Sequence, residues 1–264
     1  MNTICFGQQP CGFFPKRFLV AKINTAKKLR NGIGSRVVFF YHDSDADYRE
    51  TITVMQDKQT GAEVRLNFLQ PNKIQKKFSP LYIKKIAEGW KEEMLKQLPR
   101  FVDKDLMDIF SSVNENLSVA DFCLEMYQKM GILNGIEIVR SSDKTFRART
   151  LELNKDYFAD VAHHGEIVRA KLEDGPLAGQ EDRPLTLHEG GGIYTYLPKS
   201  DKLSKSQISP NRDQRFAWMN SVINCTHYIA GNSEYEYLKK EDFPEVKFIQ
   251  RDAIDNPEFA WLSS

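Results

Sequence analysis

Val37-Val38-Phe39-Phe40-Tyr41 is an uninterrupted apolar run, and it constrains the fold of this chain more than any other segment. A strand with one wet face alternates polar and apolar residues, whereas a run without alternation must be covered on both faces, as the strands of a parallel sheet are. The preceding residues fit that reading. Thr3 to Phe6 is a second short apolar run, followed by the Gly- and Pro-containing turn Gly7-Gln8-Gln9-Pro10-Cys11-Gly12 and a helical pattern opening near Pro15. Pro15 suits a first helical position, Phe18, Leu19, Lys22, Ile23 and Ala26 recur at helical spacing, and Asn31-Gly32 supplies a stop. Strand, helix and strand form one βαβ unit.

The same alternation returns in the last third: a helix from Asn211 to about Val222, a strand from Thr226 to Ala230, a helix from Asn232 to Lys240 and a strand from Val246 to Gln250. Between these blocks, Thr51 to Met55 and Ala62 to Phe68 flank a turn and predict an inserted hairpin. Leu81 to Gly131 reads as wholly helical, with Ile83, Ile86, Trp90 and Leu98 on one face and Ser118-Val119-Ala120-Asp121 as a capping-box-like start. Ile136 to Val139 predicts a strand, Asp156 to Leu172 a helix, and Leu185 to His188 with Ile193 to Leu197 a second hairpin around Gly190-Gly191-Gly192. The expected fold is α/β: a Rossmann-like parallel sheet with inserted helices and hairpins, one domain over 1–264 with a helical insertion at about 80–131.

Charge excludes some partners. The 37 basic residues are matched by 36 acidic ones, so the chain carries no large electrostatic footprint for nucleic acid, and Lys73, Lys76 and Lys77 read as a solvated run. No stretch approaches the ~18 consecutive apolar residues that cross a bilayer, and Met1 to Gln9 has no secretory character. A cytoplasmic protein of small-molecule substrates is expected, with Cys5, Cys11, Cys123 and Cys225 as reduced thiols.

In an open parallel sheet, ligands bind beyond the carboxyl ends of the strands, where helix N-termini attract anions. Two loops lie at such ends. In the first, Gly7 to Lys16, glycines permit close backbone approach and Lys16 and Lys22 offer charge for a phosphate; a plain tight turn with surface lysines reads equally well. In the second, His42-Asp43-Ser44-Asp45-Ala46-Asp47, three acids in five residues suit Mg²⁺, an amine or a sugar hydroxyl, or simply an exposed acidic turn. Lys202-Leu203-Ser204-Lys205-Ser206 matches the lysine-bearing KMSKS loop of class I aminoacyl-tRNA synthetases over five residues, but two predicted strands follow it where that loop follows the last. His163-His164 and His188 lack the spacing of a metal site, so no metal cage is expected.

Taken together, several segments resemble the bacillithiol-biosynthesis cysteine-adding enzyme family. Gly7-Gln8-Gln9-Pro10 with Phe14-Pro15 is similar to that family's opening G-Q-Q-x-G segment. Phe39-Phe40 through Asp45-Ala46-Asp47-Tyr48-Arg49-Glu50 is similar to its F-W...E-D-H-D-F-x-E segment, with Ser44 in place of an acid and Ala46 in place of the histidine. Leu117 to Phe122, followed by Gly131-Ile132-Leu133, resembles its helix entering a central strand. Ser209-Pro210-Asn211, Arg215, Tyr228 to Glu234 and Tyr237 run in step with S-P-N, R and Y-V-G-G-P-G-E...Y, while Asn220, Asn224 and Asn232 depart from the pattern.

The resemblance implies a nucleotidylyltransferase-like core of the HUP type and a ligase that joins an amino acid, in that family cysteine, to an amino group of a small acceptor, with ATP or ADP bound, with or without Mg²⁺. It assigns Gly7, Gln8, Gln9, Gly12 and Lys16 to the nucleotide side and Asp45 and Asp47 to an amine, hydroxyl or metal. Arg215, Gly231, Asn232 and Glu234 form the opposite wall, Arg215 holding a carboxylate or phosphate and Glu234 an amine or ribose hydroxyl. Two other readings stay open: nucleotidyl transfer to a small acceptor, and nucleotide binding without catalysis.

Overall fold

The computed structural model describes residues 2–45, 47–68, 80–153, 194–195, 209–210 and 215–263. Its centre is a parallel sheet. β1 (Thr3–Gln8) lies between β2 (Arg36–Tyr41) and β8 (His227–Ala230), with β5 (Glu137–Arg140) outside β2 and β9 (Lys247–Gln250) outside β8. All four neighbouring pairs run parallel. The chain enters at the middle, builds outward through β2 and β5, then crosses β1 and builds outward the other way, which is the Rossmann order without its sixth strand. Flanked by its helices, the sheet is a Rossmann-like α/β fold.

The apolar run predicted for β2 is buried from Val37 to Tyr41, and Ile4, Cys5 and Phe6 of β1 are fully buried. Both faces of these strands are therefore dry, which is why neither shows alternation. Ile4, Phe6, Val37, Phe39 and Tyr41 join one hydrophobic core with Leu19, Ile23 and Ala26 of α1 (Arg17–Ile33). The helix starts after Pro15, with Lys16 as its N-cap, and continues through Gly32 to a stop at Gly34, whose N–H donates to Arg30 O.

Contacts gather the chain into two compact units, Met1–Arg140 with Cys225–Ser264, and Ser141–Asn224. The helical segment expected at 80–131 belongs with the first. It comprises α2 (Trp90–Gln97), a 3-10 turn (Leu98–Arg100), α3 (Lys104–Ser112) and α4 (Val119–Lys129). Ser118 caps α4 as predicted, its Oγ accepting from Asp121 N at 3.1 Å. Residues before Gly89 are not helical, and Ile83, expected on the apolar face, is exposed. Trp90, Phe110 and Phe122 meet Phe13 and Phe68 in an aromatic cluster with ring centroids 4.5–5.9 Å apart. The predicted hairpin is present as β3 (Thr53–Gln56) paired antiparallel with β4 (Glu63–Leu66).

In the second unit, α5 (Lys144–Leu153) and α6 (Arg215–Ile223) pack together, with the Phe146 and Trp218 rings edge to face at 4.9 Å. A short pairing of β6 (Tyr194–Thr195) with β7 (Ser209–Pro210) completes it. The helix predicted at Asp156 to Leu172, the histidines at 163, 164 and 188, the strand at Leu185 to His188, the lysines at 73, 76 and 77, and Lys202 to Ser206 lie outside the described residues.

Candidate functional site

The topology fixes one distinguished place, the carboxyl ends of β1 and β8, where the order of strand addition reverses. β1 ends there in Gly7-Gln8, and β8 leads through Gly231 into α7 (Asn232–Tyr237). Lys22 ties the two together. It stands in the middle of α1, 3% exposed, and donates to Gly7 O at 2.8 Å, to Gln8 Oε1 at 3.4 Å and to Glu234 Oε2 at 2.7 Å. Glu234 also accepts from Gly231 N at 3.0 Å and, on its other oxygen, from Tyr228 Oη at 2.6 Å. Gly231 is the N-cap of α7 and has no side chain, so the Glu234 carboxylate alone closes the first turn; Asn232 is the exposed first helical residue, not the cap. Burial, then the nearby Glu234 charge, raise the Tyr228 phenol well above its ordinary range. It stays protonated and donates.

Gly7 must lack a side chain here. A Cβ on it would sit 3.0 Å from Tyr228 Oη and 3.1 Å from His42 Nε2, so the absence of one lets polar groups from both flanking strands close over β1. His42 is itself buried, its ring edge-on to Phe40 at 4.5 Å and its N–H donating to Gln8 O at 2.9 Å. Lys22 as a tether, Tyr228 and His42 were not legible in these positions: Lys22 meets Glu234 across 212 residues, and Tyr228 and His42 meet only where β8 and the end of β2 flank Gly7.

The acidic loop is pinned rather than open. Both oxygens of buried Asp45 accept hydrogen bonds, one from Gln9 Nε2 at 2.6 Å and one from Asp47 N at 2.8 Å, while Leu81 N donates to its carbonyl at 2.7 Å. Asp47 accepts from two of the Arg49 guanidinium nitrogens, Nη2 at 2.7 Å and Nε at 2.9 Å. Burial pulls the Asp47 carboxyl upward, but the bonds from Arg49 outweigh it and the net shift is downward, so it is a carboxylate at neutral pH. Asp43, fully buried, pairs with Arg140 at 2.6 Å, and Arg140 also reaches Asp121. Among the described residues no group of three or more His, Cys, Asp or Glu side chains gathers as a metal site.

Two residues expected on the nucleotide side, Gly12 and Lys16, make close contacts within the chain. Gly12 has φ +91°, and a Cβ there would lie 2.7 Å from Thr53 Oγ1 and 2.8 Å from Phe14 O; the glycine serves the approach of this loop to β3. The loop is then clamped by Tyr127, which donates to Gly12 O at 2.7 Å and accepts from Cys11 N at 3.0 Å. Lys16 is 4% exposed and pairs with Glu258 at 2.9 Å and Glu50 at 3.4 Å. Burial works against its ammonium, the two carboxylates outweigh that, and the net shift is upward. The first amides of α1 are also engaged: Arg17 N donates to Phe259 O at 2.9 Å and Phe18 N to Pro257 O at 3.1 Å. Arg215 opens α6 in the second unit.

The structure thus brings Gly7, Gln8 and Glu234 together through Lys22, holds Gly231 to Glu234, and links Gln9 to Asp45 and, through it, to Asp47. No family model matches the chain, and no curated protein matches it. Among solved structures it is similar to tyrosyl-tRNA synthetase of Leishmania major in complex with tyrosinol, at 11% identity, covering 97% of this chain and 26% of that one, with a TM-score of 0.36. The chain spans about a quarter of that protein's length, and a likeness of this size carries no functional argument. No helix among the described residues is long and apolar enough to cross a membrane.

Proposed function

We propose that this chain is a nucleotide-dependent ligase that joins the carboxyl group of an amino acid to an amino group of a small acceptor, with an adenine nucleotide at the β1/β8 switch point. The observation that carries the reading is the convergence of Gly7, Gln8 and Glu234 on one buried lysine, with Gly231 bonded to Glu234, at the edge where Rossmann-like sheets take ligands. The motif resemblance in the first loop, the acidic loop and α7 supports the reaction type.

The donor set fits the nucleoside part of such a ligand. Glu234 and Gln8 supply oxygen acceptors for hydroxyl or amine protons. Bound, the nucleotide would supply an activated carboxyl. The rest belongs to this chain's own residues. Asp47, ionised, half-buried and paired with Arg49, would accept a further hydrogen bond from an amine donor; Asp45 orients it through its bonds to Gln9 and the Asp47 amide. Tyr228 fixes Glu234, and Lys22 fixes both strand ends, so two substrates would meet on a preorganised surface and gain rate from proximity.

The test is to incubate the chain with ATP, Mg²⁺, a mixture of the twenty amino acids and an aminosugar–malate acceptor, and to look by mass spectrometry for a new amide. The reading predicts an amide whose appearance needs the nucleotide and falls away in Asp47→Asn. Release of pyrophosphate with no new amide would replace it with nucleotidyl transfer.

A further inference from the structure

We draw no further inference here: the strongest candidate, the start of α1 where residues 257–261 cross it, with Phe259 O and Pro257 O accepting from Arg17 N and Phe18 N and Glu258 paired with buried Lys16, is a helix N-terminus met by the chain's own groups, and no second observation among the described residues points to a ligand there.

Discussion

Lys22→Met removes the tether while keeping most of the side chain's volume, and its cost can be worked from the bonds it breaks. Gly7 O, buried at the end of β1, loses its 2.8 Å lysine donor, which costs about 1–3 kcal/mol for an unsatisfied buried acceptor. Glu234 loses the 2.7 Å ion pair but keeps Tyr228 Oη and Gly231 N and is partly wet, so its loss falls below that of a fully buried charge. Methionine recovers part of the apolar burial. A total of about 3 kcal/mol follows, at the low end of the range for breaking one partner of a buried pair. Urea unfolding followed by circular dichroism measures it, with Glu234→Gln and the double variant completing a cycle. The double variant is expected to cost less than the sum of the two single ones by at least about 1 kcal/mol, because the second substitution removes the charge that the first one strands. A Lys22→Met cost below about 0.5 kcal/mol with no coupling would refute the tether, since that is the range of an unconnected surface site.

Gly12→Ala should destabilise the first unit by about 2–4 kcal/mol, from left-handed strain at φ +91° plus a Cβ forced against Thr53 and the Phe14 carbonyl; a midpoint of urea unfolding equal to wild type would contradict this. Tyr127→Phe strands Gly12 O and Cys11 N and should cost about 2–3 kcal/mol in the same assay. Asp57, buried in the β3–β4 turn, accepts from Thr60 N and Gln59 N and from Arg100, and these hold its carboxyl down to about 2. A lowered folded value means stability that is present above the unfolded carboxyl range and lost as pH falls from about 4 towards 2. Asp57→Asn should therefore narrow its gap to wild type between pH 7 and pH 3; a gap that does not change with pH would sink the assignment.

The frame of the fold was readable because its cues are local. Val37 to Tyr41 lacks alternation since both its faces are covered, and Ser118 announces α4 within four residues. The chemistry of the first loop was not, because what a glycine or lysine does depends on distant partners. Gly12 faces Thr53, Lys16 faces Glu258, and Lys22 faces Glu234, two of these across more than two hundred residues. Lysines near a Gly-rich turn point to phosphate in the sequence; the carboxylates that pair with them in the fold leave no trace in the local pattern. The position of Glu234 was legible for the opposite reason, since an acid in a first turn at a strand's carboxyl end is a local arrangement. The helix Lys144–Leu153 went unread because Thr and Arg interrupt its apolar spacing.

The central claim, that ligand is taken at the β1/β8 switch point, is tested most directly by hydrogen–deuterium exchange of the chain with and without saturating adenosine or ATP. Protection confined to the peptides carrying Gly7 to Gln9, His42 to Asp47 and Gly231 to Tyr235, with those around Lys16 and Gly12 unchanged, is the predicted result. Protection that avoids the Gly231 to Tyr235 peptide, or that falls first on the start of α1, would contradict it.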